Sequence, residues 1–254
     1  MDPMTLLDLA FDLARDAGAT ILRVRERGFG TFRKADASPV TEADHAAEAL
    51  IVAGLRRVCP DIPVVAEEEI AAGHVPEHSS AYWMVDPLDG TREFAAGSDH
   101  FAVCIGLVRD GKAVLGVVGA PVEGAVFGGI VGQGAWKRDV SGQHEISARK
   151  APEAGIDVMA SRHYADDPRL TPFLAGRHIA SINHIGSALK FCRVAEGSAD
   201  LYPRFGRTME WDTAAAQALV EAAGGKVLDM ASGEPLRYGK PRWENASFIC
   251  SGRD

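Results

Sequence analysis

The amino-acid sequence predicts an α+β unit followed by a smaller α/β unit. Apolar residues recur at helical spacing near the N-terminus, and short β-rich runs separated by turn signals fill residues 82–137. After residue 155, strand and helix patterns alternate, which is typical of α/β packing. These patterns predict two domains: residues 1–155, with two helices beside an antiparallel sheet, and residues 156–254, the α/β unit.

Two amphipathic helices are predicted in the first unit. Apolar residues recur at helical spacing over residues 5–26, as they do on the buried face of a helix. A second helix is predicted over residues 42–58, where Thr41 and Asp44 have the spacing of a capping box. Both helices are expected to lie beside the sheet that follows.

The region after these helices has the pattern of an antiparallel meander. Its β-rich runs are WMVD, FAVCIGLV, KAVLGVVGA, AVFGGIV and AWK. Turn signals separate them at Asp110-Gly111, at Glu123-Gly124 and at residues 132–134, and such pairs favour tight hairpins. We therefore expect consecutive strands to pair with one another.

The second unit follows a polar segment at residues 147–155. Its predicted strands are DVMAS, HIASI, ADLYP and KVLD, and its predicted helices cover residues 167–175, 187–197 and 212–223. Small-molecule sites often lie between domains. A site is therefore expected in the cleft between this unit and the first.

Composition and charge argue against several functions. The chain has 254 residues, of which 46% are hydrophobic, and a formal net charge of −8. An acidic protein is not expected to bind nucleic-acid polymers, because they require basic surfaces. We find no run of about 18 apolar residues, and the N-terminal residues carry acids where a secretory signal needs bases. We therefore expect no integral membrane association and a cytoplasmic location.

The segment YWMVDPLDGTREF carries the strongest functional signal. Asp86 and Asp89 follow an apolar strand. Pro87 between them blocks a helix, and Gly90 after them frees the backbone. Both carboxylates and the Leu88 carbonyl can therefore turn toward one point. Together they form an oxygen donor set of the kind that Mg²⁺ prefers.

The same segment contains a candidate phosphate site. Residues 91–94 can continue as a helix, whose N-terminus carries a partial positive charge. The backbone amides of Gly90 and Thr91 would lie at this N-terminus and are suited to binding phosphate. The metal and phosphate sites are therefore predicted to be adjacent.

Two further acids come from distant segments. Glu67 lies in the β-rich run PVVAEEE, far enough before Asp86 to leave room for a loop and a returning strand. Asp212 starts the Ala-rich segment WDTAAAQALVEAAGG, where it can cap the predicted helix or bind metal. Each acid taken alone also fits a structural role, as part of a polar turn or as a helix cap.

In order and spacing, these segments are similar to the metal motifs of the inositol monophosphatase superfamily. The shared features are DPLDGT, the acids that close PVVAEEE, and WDTAAA followed by EAAGG. Within the superfamily, SPVTEAD, GSALKFCRVAEGSADLYPRFG and WDTAA most resemble the 3'(2'),5'-bisphosphate nucleotidases of the CysQ type. The resemblance implies a two-domain layered αβαβα sandwich of the inositol monophosphatase and fructose-1,6-bisphosphatase type.

The resemblance also implies a metal cofactor and a mechanism. Two or three Mg²⁺ ions would activate a water molecule and stabilise the leaving oxygen. Asp44, Thr91 and Glu67 would be the catalytic residues, of which the first two orient and deprotonate the water. Asp44 and Thr91 could instead only cap their own helices. The implied metal ligands are Glu67, Asp86, the Leu88 carbonyl, Asp89 and Asp212.

For the substrate, the resemblance implies contacts from Ser187, Lys190, Arg204 and Asp212. Ser187 and Lys190 lie three residues apart, so one turn of a helix would point both the same way. Lysine and arginine suit the second phosphate that a bisphosphate nucleotide carries and an inositol monophosphate lacks, although ordinary surface cations are the alternative. The implied reaction removes the 3'-phosphate of adenosine 3',5'-bisphosphate, or of its sulfated relative. A role in sulfur assimilation and sensitivity to lithium are implied in the same way.

Other functions stay open. Inositol 1-phosphate and fructose 1,6-bisphosphate are alternative substrates for the same scaffold, and a non-catalytic metal-binding and nucleotide-binding sensor is a different class. A phosphoaspartate phosphatase would need acids two residues apart, and a P-loop enzyme would need GxxxxGK followed by Ser or Thr, so neither fits. The role of His163 and pairing with a second copy of the chain are also open.

Overall fold

Two long helices form the first layer of the protein. A computed structural model describes residues 1–34, 38–77, 79–162 and 167–254. In it, α1 (Pro3–Arg27) and α2 (Glu42–Val58) match the two helices predicted in this region. Thr41 and Asp44 form the predicted capping box at the start of α2. Between the helices, β1 (Thr31–Arg33) and β2 (Pro39–Thr41) pair as antiparallel strands.

A seven-stranded sheet packs against these helices. Its strands, adjacent in this order, are β3 (Val64–Ala66), β4 (Ala81–Asp89), β5 (Ala102–Arg109), β6 (Lys112–Ala120), β7 (Ala125–Ile130), β8 (Gly134–Asp139) and β9 (Gly142–Ile146). β3 is parallel to β4, and every later neighbouring pair is antiparallel. Asp110 and Gly111 have φ angles of 50° and 71°, as a tight hairpin turn requires. The predicted meander is therefore confirmed, although the polar strand β9 was not predicted.

Two short helices follow the first two strands of this sheet. α3 (Glu67–Ala71) begins directly after β3, and α4 (Thr91–Ala95) begins one residue after β4. Because β3 and β4 are parallel neighbours, both helices begin at the same edge of the sheet. This arrangement brings the acids of PVVAEEE and DPLDGT to the same edge of the sheet.

Within residues 156–162 and 167–254, the second half of the chain contributes a five-stranded sheet and three α-helices. The elements are β10 (Ile156–Ser161), α5 (Leu170–Leu174), β11 (Ile179–Ile185), α6 (Leu189–Ala195), β12 (Leu201–Arg204), β13 (Thr208–Met209), α7 (Ala214–Ala222), β14 (Lys226–Asp229), β15 (Glu244–Asn245) and β16 (Phe248–Ser251). The sheet has the order β11-β10-β12-β16-β14, and β13 pairs separately with β15. The predicted elements are present, and all three helices are shorter than expected. The inner strand β16 was not predicted, because its four residues follow a long irregular segment.

The elements stack in five layers. α1 and α2 cover one face of the seven-stranded sheet, α6 and α7 lie between the two sheets, and α5 covers the outer face of the second sheet. The predicted αβαβα sandwich is therefore confirmed. The domain boundary near residue 155 stays a prediction, and α7 from the second half packs directly on the first sheet. None of the helices in the described residues is long and apolar enough to cross a membrane.

Glycines allow α7 to approach the first sheet closely. Gly106 of β5 and Gly116 of β6 are paired across the two strands, and both face Ala215 of α7. A Cβ atom at Gly106 would lie 2.7 Å from the Ala215 nitrogen, and one at Gly116 would overlap the Ala215 carbonyl oxygen. The helix backbone therefore packs against the sheet backbone. This contact also places the loop just before α7, which carries Asp212, near β4.

We predict that Gly116→Ala lowers the free energy of unfolding by about 1–3 kcal/mol, because the new methyl group must push α7 away from β6. Urea unfolding followed by circular dichroism measures the change. Gly119→Ala on the same strand is the matched control, because its Cβ would meet neighbouring atoms only at 3.4 Å, an ordinary contact distance. Equal stability losses in the two variants would contradict the packing argument.

Candidate active site

Three carboxylates meet where β4 ends and the loop before α7 begins. Asp86, Asp89 and Asp212 each offer an oxygen atom within 4.8 Å of the others. The pairing of β4 with β5 is interrupted between Asp86 and Asp89, at the position of Pro87. This irregularity lets both acids of the strand face Asp212, as the sequence predicts.

Burial and the charges of neighbouring acids disfavour the charged forms of Asp86 and Asp212. Asp86 is 2% exposed, and its burial, together with the charges of Glu67, Asp89 and Asp212, raises its pKa well above the ordinary value. Burial, followed by Asp89 and Glu67, raises the pKa of Asp212 in the same way. A divalent cation would offset this repulsion, and the all-oxygen donor set fits Mg²⁺. Metal binding by Asp86, Asp89, Asp212 and the Leu88 carbonyl stays a prediction.

The structure distinguishes between the two roles considered for Asp212. Its Oδ2 atom accepts a hydrogen bond from the Met209 backbone amide at 2.8 Å. The residue that precedes α7 is Thr213, and its side chain makes no capping hydrogen bond. Asp212 therefore points toward the other acids and does not cap α7.

Asp44 and Thr91 are in direct contact. The Thr91 hydroxyl lies 2.9 Å from Asp44 Oδ1 and 3.1 Å from the Leu88 carbonyl oxygen, and either oxygen can accept its hydrogen bond. Asp44 is 1% exposed, and its Oδ2 accepts hydrogen bonds from the Thr41 amide and hydroxyl, both at 2.7 Å. Asp44 therefore caps α2 and also holds Thr91. Gly90, with φ of 94°, precedes α4, so Thr91 is the first residue of that helix and not its cap.

Glu67 lies close to the three acids but contacts a lysine. It begins α3, and its Oε1 atom is 2.6 Å from Lys34 Nζ. Burial is the main reason that its pKa rises to about 7, and the charge of Lys34 acts in the opposite direction. Within the described residues Glu67 does not belong to the group of three acids. Its role as a metal ligand stays a prediction.

Glu48 supports the position of Glu67. It lies on the buried face of α2, and its Oε2 atom accepts a hydrogen bond from the Glu68 amide at 2.8 Å. Burial raises the pKa of Glu48 to about 7. This bond attaches the start of α3 to α2. The four-residue spacing of Asp44 and Glu48, which puts both on one helix face, is the signal that could have indicated Glu48.

Two of the predicted substrate residues, Ser187 and Lys190, are linked to Asp89 by hydrogen bonds. Ser187 Oγ donates to Asp89 Oδ2 at 2.6 Å, and the Ala188 amide donates to the same oxygen. Lys190 Nζ donates to the Ser187 carbonyl at 2.5 Å and to the Ile185 carbonyl at 3.3 Å. Lys190 is 3% exposed, and burial lowers its pKa to about 8. Ser187 has a φ of 62° and precedes α6, so the expected helical-turn arrangement of Ser187 and Lys190 was wrong.

A cleft of about 590 Å³ opens over the acids. Ligand pockets commonly have volumes of about 300–1,000 Å³, so the cleft is large enough for a nucleotide. Predicted site residues from both halves of the chain line it together with Lys34. These residues are Glu67, Asp89, Gly90, Ser187, Lys190, Arg204 and Asp212. His163 lies outside the described residues.

Comparison with protein families places nearly the whole chain in one of them. The Inositol monophosphatase family matches residues 2–252. The chain belongs to the inositol monophosphatase family. Membership confirms the resemblance found in the sequence motifs and agrees with the five-layer fold.

Relatives within the inositol monophosphatase family are similar over almost their full length. The 3'(2'),5'-bisphosphate nucleotidase CysQ of Escherichia coli strain K12 is 44% identical over 249 residues, which cover 97% of this chain and 98% of that protein. CysQ from Bacteroides thetaiotaomicron has a TM-score of 0.81 at 33% identity and 98% coverage of both chains. The Thermotoga maritima IMPase has a TM-score of 0.80 at 28% identity, with 97% of this chain and 92% of that chain covered. These similarities confirm the prediction of a phosphoric monoester hydrolase.

We predict that the chelator-treated protein becomes less stable as pH rises from about 5 to about 7. The pKa values of Glu48 and Glu67 rise from 4.5 to about 7 on folding, so in this range the folded state binds more protons than the unfolded state. Asp157 and Asp167 have lowered pKa values, so their effect on the pH dependence of stability falls below this pH range. The melting temperature measured with EDTA at several pH values tests the prediction, and a rise between about pH 5 and pH 7 would contradict it. Saturating Mg²⁺ should reduce the change of the melting temperature with pH.

Proposed function

We propose that this chain is a Mg²⁺-dependent 3'(2'),5'-bisphosphate nucleotidase. It removes the 3'-phosphate of adenosine 3',5'-bisphosphate and produces AMP and phosphate. The observation that carries the proposal is the group of Asp86, Asp89 and Asp212 beneath the cleft, in a chain 44% identical to the Escherichia coli nucleotidase. The sulfated relative of this nucleotide is proposed as a second substrate.

The proposed metal ligands are Glu67, Asp86, the Leu88 carbonyl, Asp89 and Asp212. All of them are oxygen donors, and together they would hold two or three Mg²⁺ ions. When bound, Mg²⁺ supplies positive charge that acidifies water and stabilises the leaving oxygen. The like charges of the acids explain why such a site needs cations.

The proposed catalytic residues orient the attacking water. Asp44 accepts a hydrogen bond from the Thr91 hydroxyl, so the lone pairs of the Thr91 oxygen can accept a hydrogen bond from the water. Thr41 holds the Asp44 carboxylate in place. As the water oxygen forms a bond to phosphorus, the water gives up a proton toward Thr91 and Asp44. The bond between phosphorus and the 3'-oxygen breaks, and the 3'-oxygen takes up a proton from solvent. The amides of Gly90 and Thr91 are the proposed phosphate contacts.

The proposed substrate residues come from the second half of the chain. Arg204 lines the cleft and suits the phosphate that is not hydrolysed. Lys190 contributes its positive charge from behind the Ser187 turn, because its ammonium donates to backbone carbonyls. Asp212 and the Ser187 hydroxyl complete the proposed set. Sulfur assimilation fits the similarity to CysQ, whereas lithium sensitivity, a cytoplasmic location and pairing with a second copy remain predictions.

A second candidate is hydrolysis of inositol 1-phosphate or fructose 1,6-bisphosphate. The similarity of the Thermotoga maritima IMPase favours this candidate, because one scaffold can serve several phosphate esters. Comparing kcat/KM for the three substrates separates the candidates, and we expect the highest value for adenosine 3',5'-bisphosphate. Saturable nucleotide binding without phosphate release would instead indicate a sensor.

We predict that Asp89→Asn lowers kcat/KM by at least about 100-fold, because the amide is a weaker metal ligand than the carboxylate. Phosphate release with Mg²⁺ measures activity, and the melting temperature shows whether the variant folds. Asp110→Asn is the matched control, because Asp110 lies exposed in a hairpin turn that asparagine tolerates. Near-normal activity of Asp89→Asn would contradict its role as a ligand.

We predict that Arg204→Ala raises KM for adenosine 3',5'-bisphosphate by about tenfold or more, as expected for loss of a charged hydrogen bond. KM for inositol 1-phosphate, which has one phosphate, should change much less. Arg177→Ala removes an exposed arginine that does not line the cleft and serves as the control. Equal effects of Arg204→Ala on both substrates would remove the argument for a second phosphate contact.

A further inference from the structure

Lys34 makes close contact with two glutamates. Its Nζ atom lies 2.6 Å from Glu67 Oε1 and 2.6 Å from Glu68 Oε1. The Lys34 side chain is 11% exposed, and that of Glu68 is 5% exposed. Although burial lowers the Lys34 pKa, the two glutamates raise it above its ordinary value. Lys34 is therefore a positively charged group at the edge of the cleft.

The contact with Lys34 involves one of the proposed metal ligands. Glu67 lines the same cleft as Asp89 and Asp212, yet its carboxylate is directed to Lys34. An ammonium group and a divalent cation repel each other strongly at the distances within one carboxylate site. Simultaneous binding of both cations by Glu67 would therefore cost free energy.

We infer that Lys34 competes with a divalent cation for Glu67 and thereby sets the metal affinity of the acidic site. The inference rests on the metal site of the proposed function. When a cation binds Glu67, Lys34 keeps its contact with Glu68, whose side chain is 5% exposed and whose negative charge it helps to compensate. Lys34 is thus a positioning residue that acts through Glu67.

The test measures metal binding without substrate. Wild type and Lys34→Met are stripped with EDTA, freed of the chelator and titrated with Mg²⁺ and with Mn²⁺ in a calorimeter. We expect Kd to fall by about tenfold in Lys34→Met, because the repulsion is removed. The chelated variant should melt at a lower temperature than chelated wild type, and saturating Mg²⁺ should narrow this difference.

Two further variants serve as controls, one for the loss of a lysine and one for folding. Lys137→Met removes a lysine that lies 3.3 Å from Glu196, away from the cleft, and should leave Kd unchanged. Lys34→Met combined with Glu68→Gln removes the buried carboxylate charge as well, and it should show the tighter binding if the single variant does not fold.

The outcomes separate this inference from the proposed function. An unchanged or larger Kd in the folded Lys34 variants would overturn the competition while leaving the metal site intact. Absence of metal binding by wild type would overturn both the proposed function and the inference. Tighter binding in the Lys34 variants but not in Lys137→Met would support competition at Glu67.

Discussion

The repulsion among Asp86, Asp89 and Asp212 is the constraint on which the site depends. Burial, followed by the charges of the neighbouring carboxylates, raises the pKa values of Asp86 and Asp212, and the protein must hold the three acids together against their repulsion. Backbone amides provide part of the compensation, because amides from three separate segments donate to the three acids. Hydrogen bonds of this kind position the oxygens but leave negative charge for a cation to neutralise.

The packing of α7 connects this electrostatic arrangement to the fold. Gly106 and Gly116 let the helix backbone approach the first sheet, and Asp212 lies in the loop that leads into that helix. A side chain at either glycine would separate the helix from the sheet. The site therefore depends on a close backbone contact that involves none of its chemical groups.

The proposed metal ligand Asp89 and the proposed substrate residues Ser187 and Lys190 are joined by hydrogen bonds. Ser187 donates to Asp89, and Lys190 donates to the backbone carbonyls of the turn that holds Ser187. On the other side of the site, Asp44 joins Thr91 to the start of α2. The orientation of Asp89 is thus coupled to the segment that is proposed to face the substrate.

Local sequence patterns by themselves determined the capping box at Thr41, the hairpin turn at Asp110 and the oxygen-rich turn of DPLDG. Each of these depends on residues within about four positions of one another. Local patterns left Asp212 able either to cap a helix or to join the acids, and the tertiary structure decided that it lies beside them. The tertiary structure alone decided that Lys34 meets Glu67 and that β16 is an inner strand. Those contacts join distant segments, and their geometry follows from how helices and sheets pack, which no short-range pattern encodes.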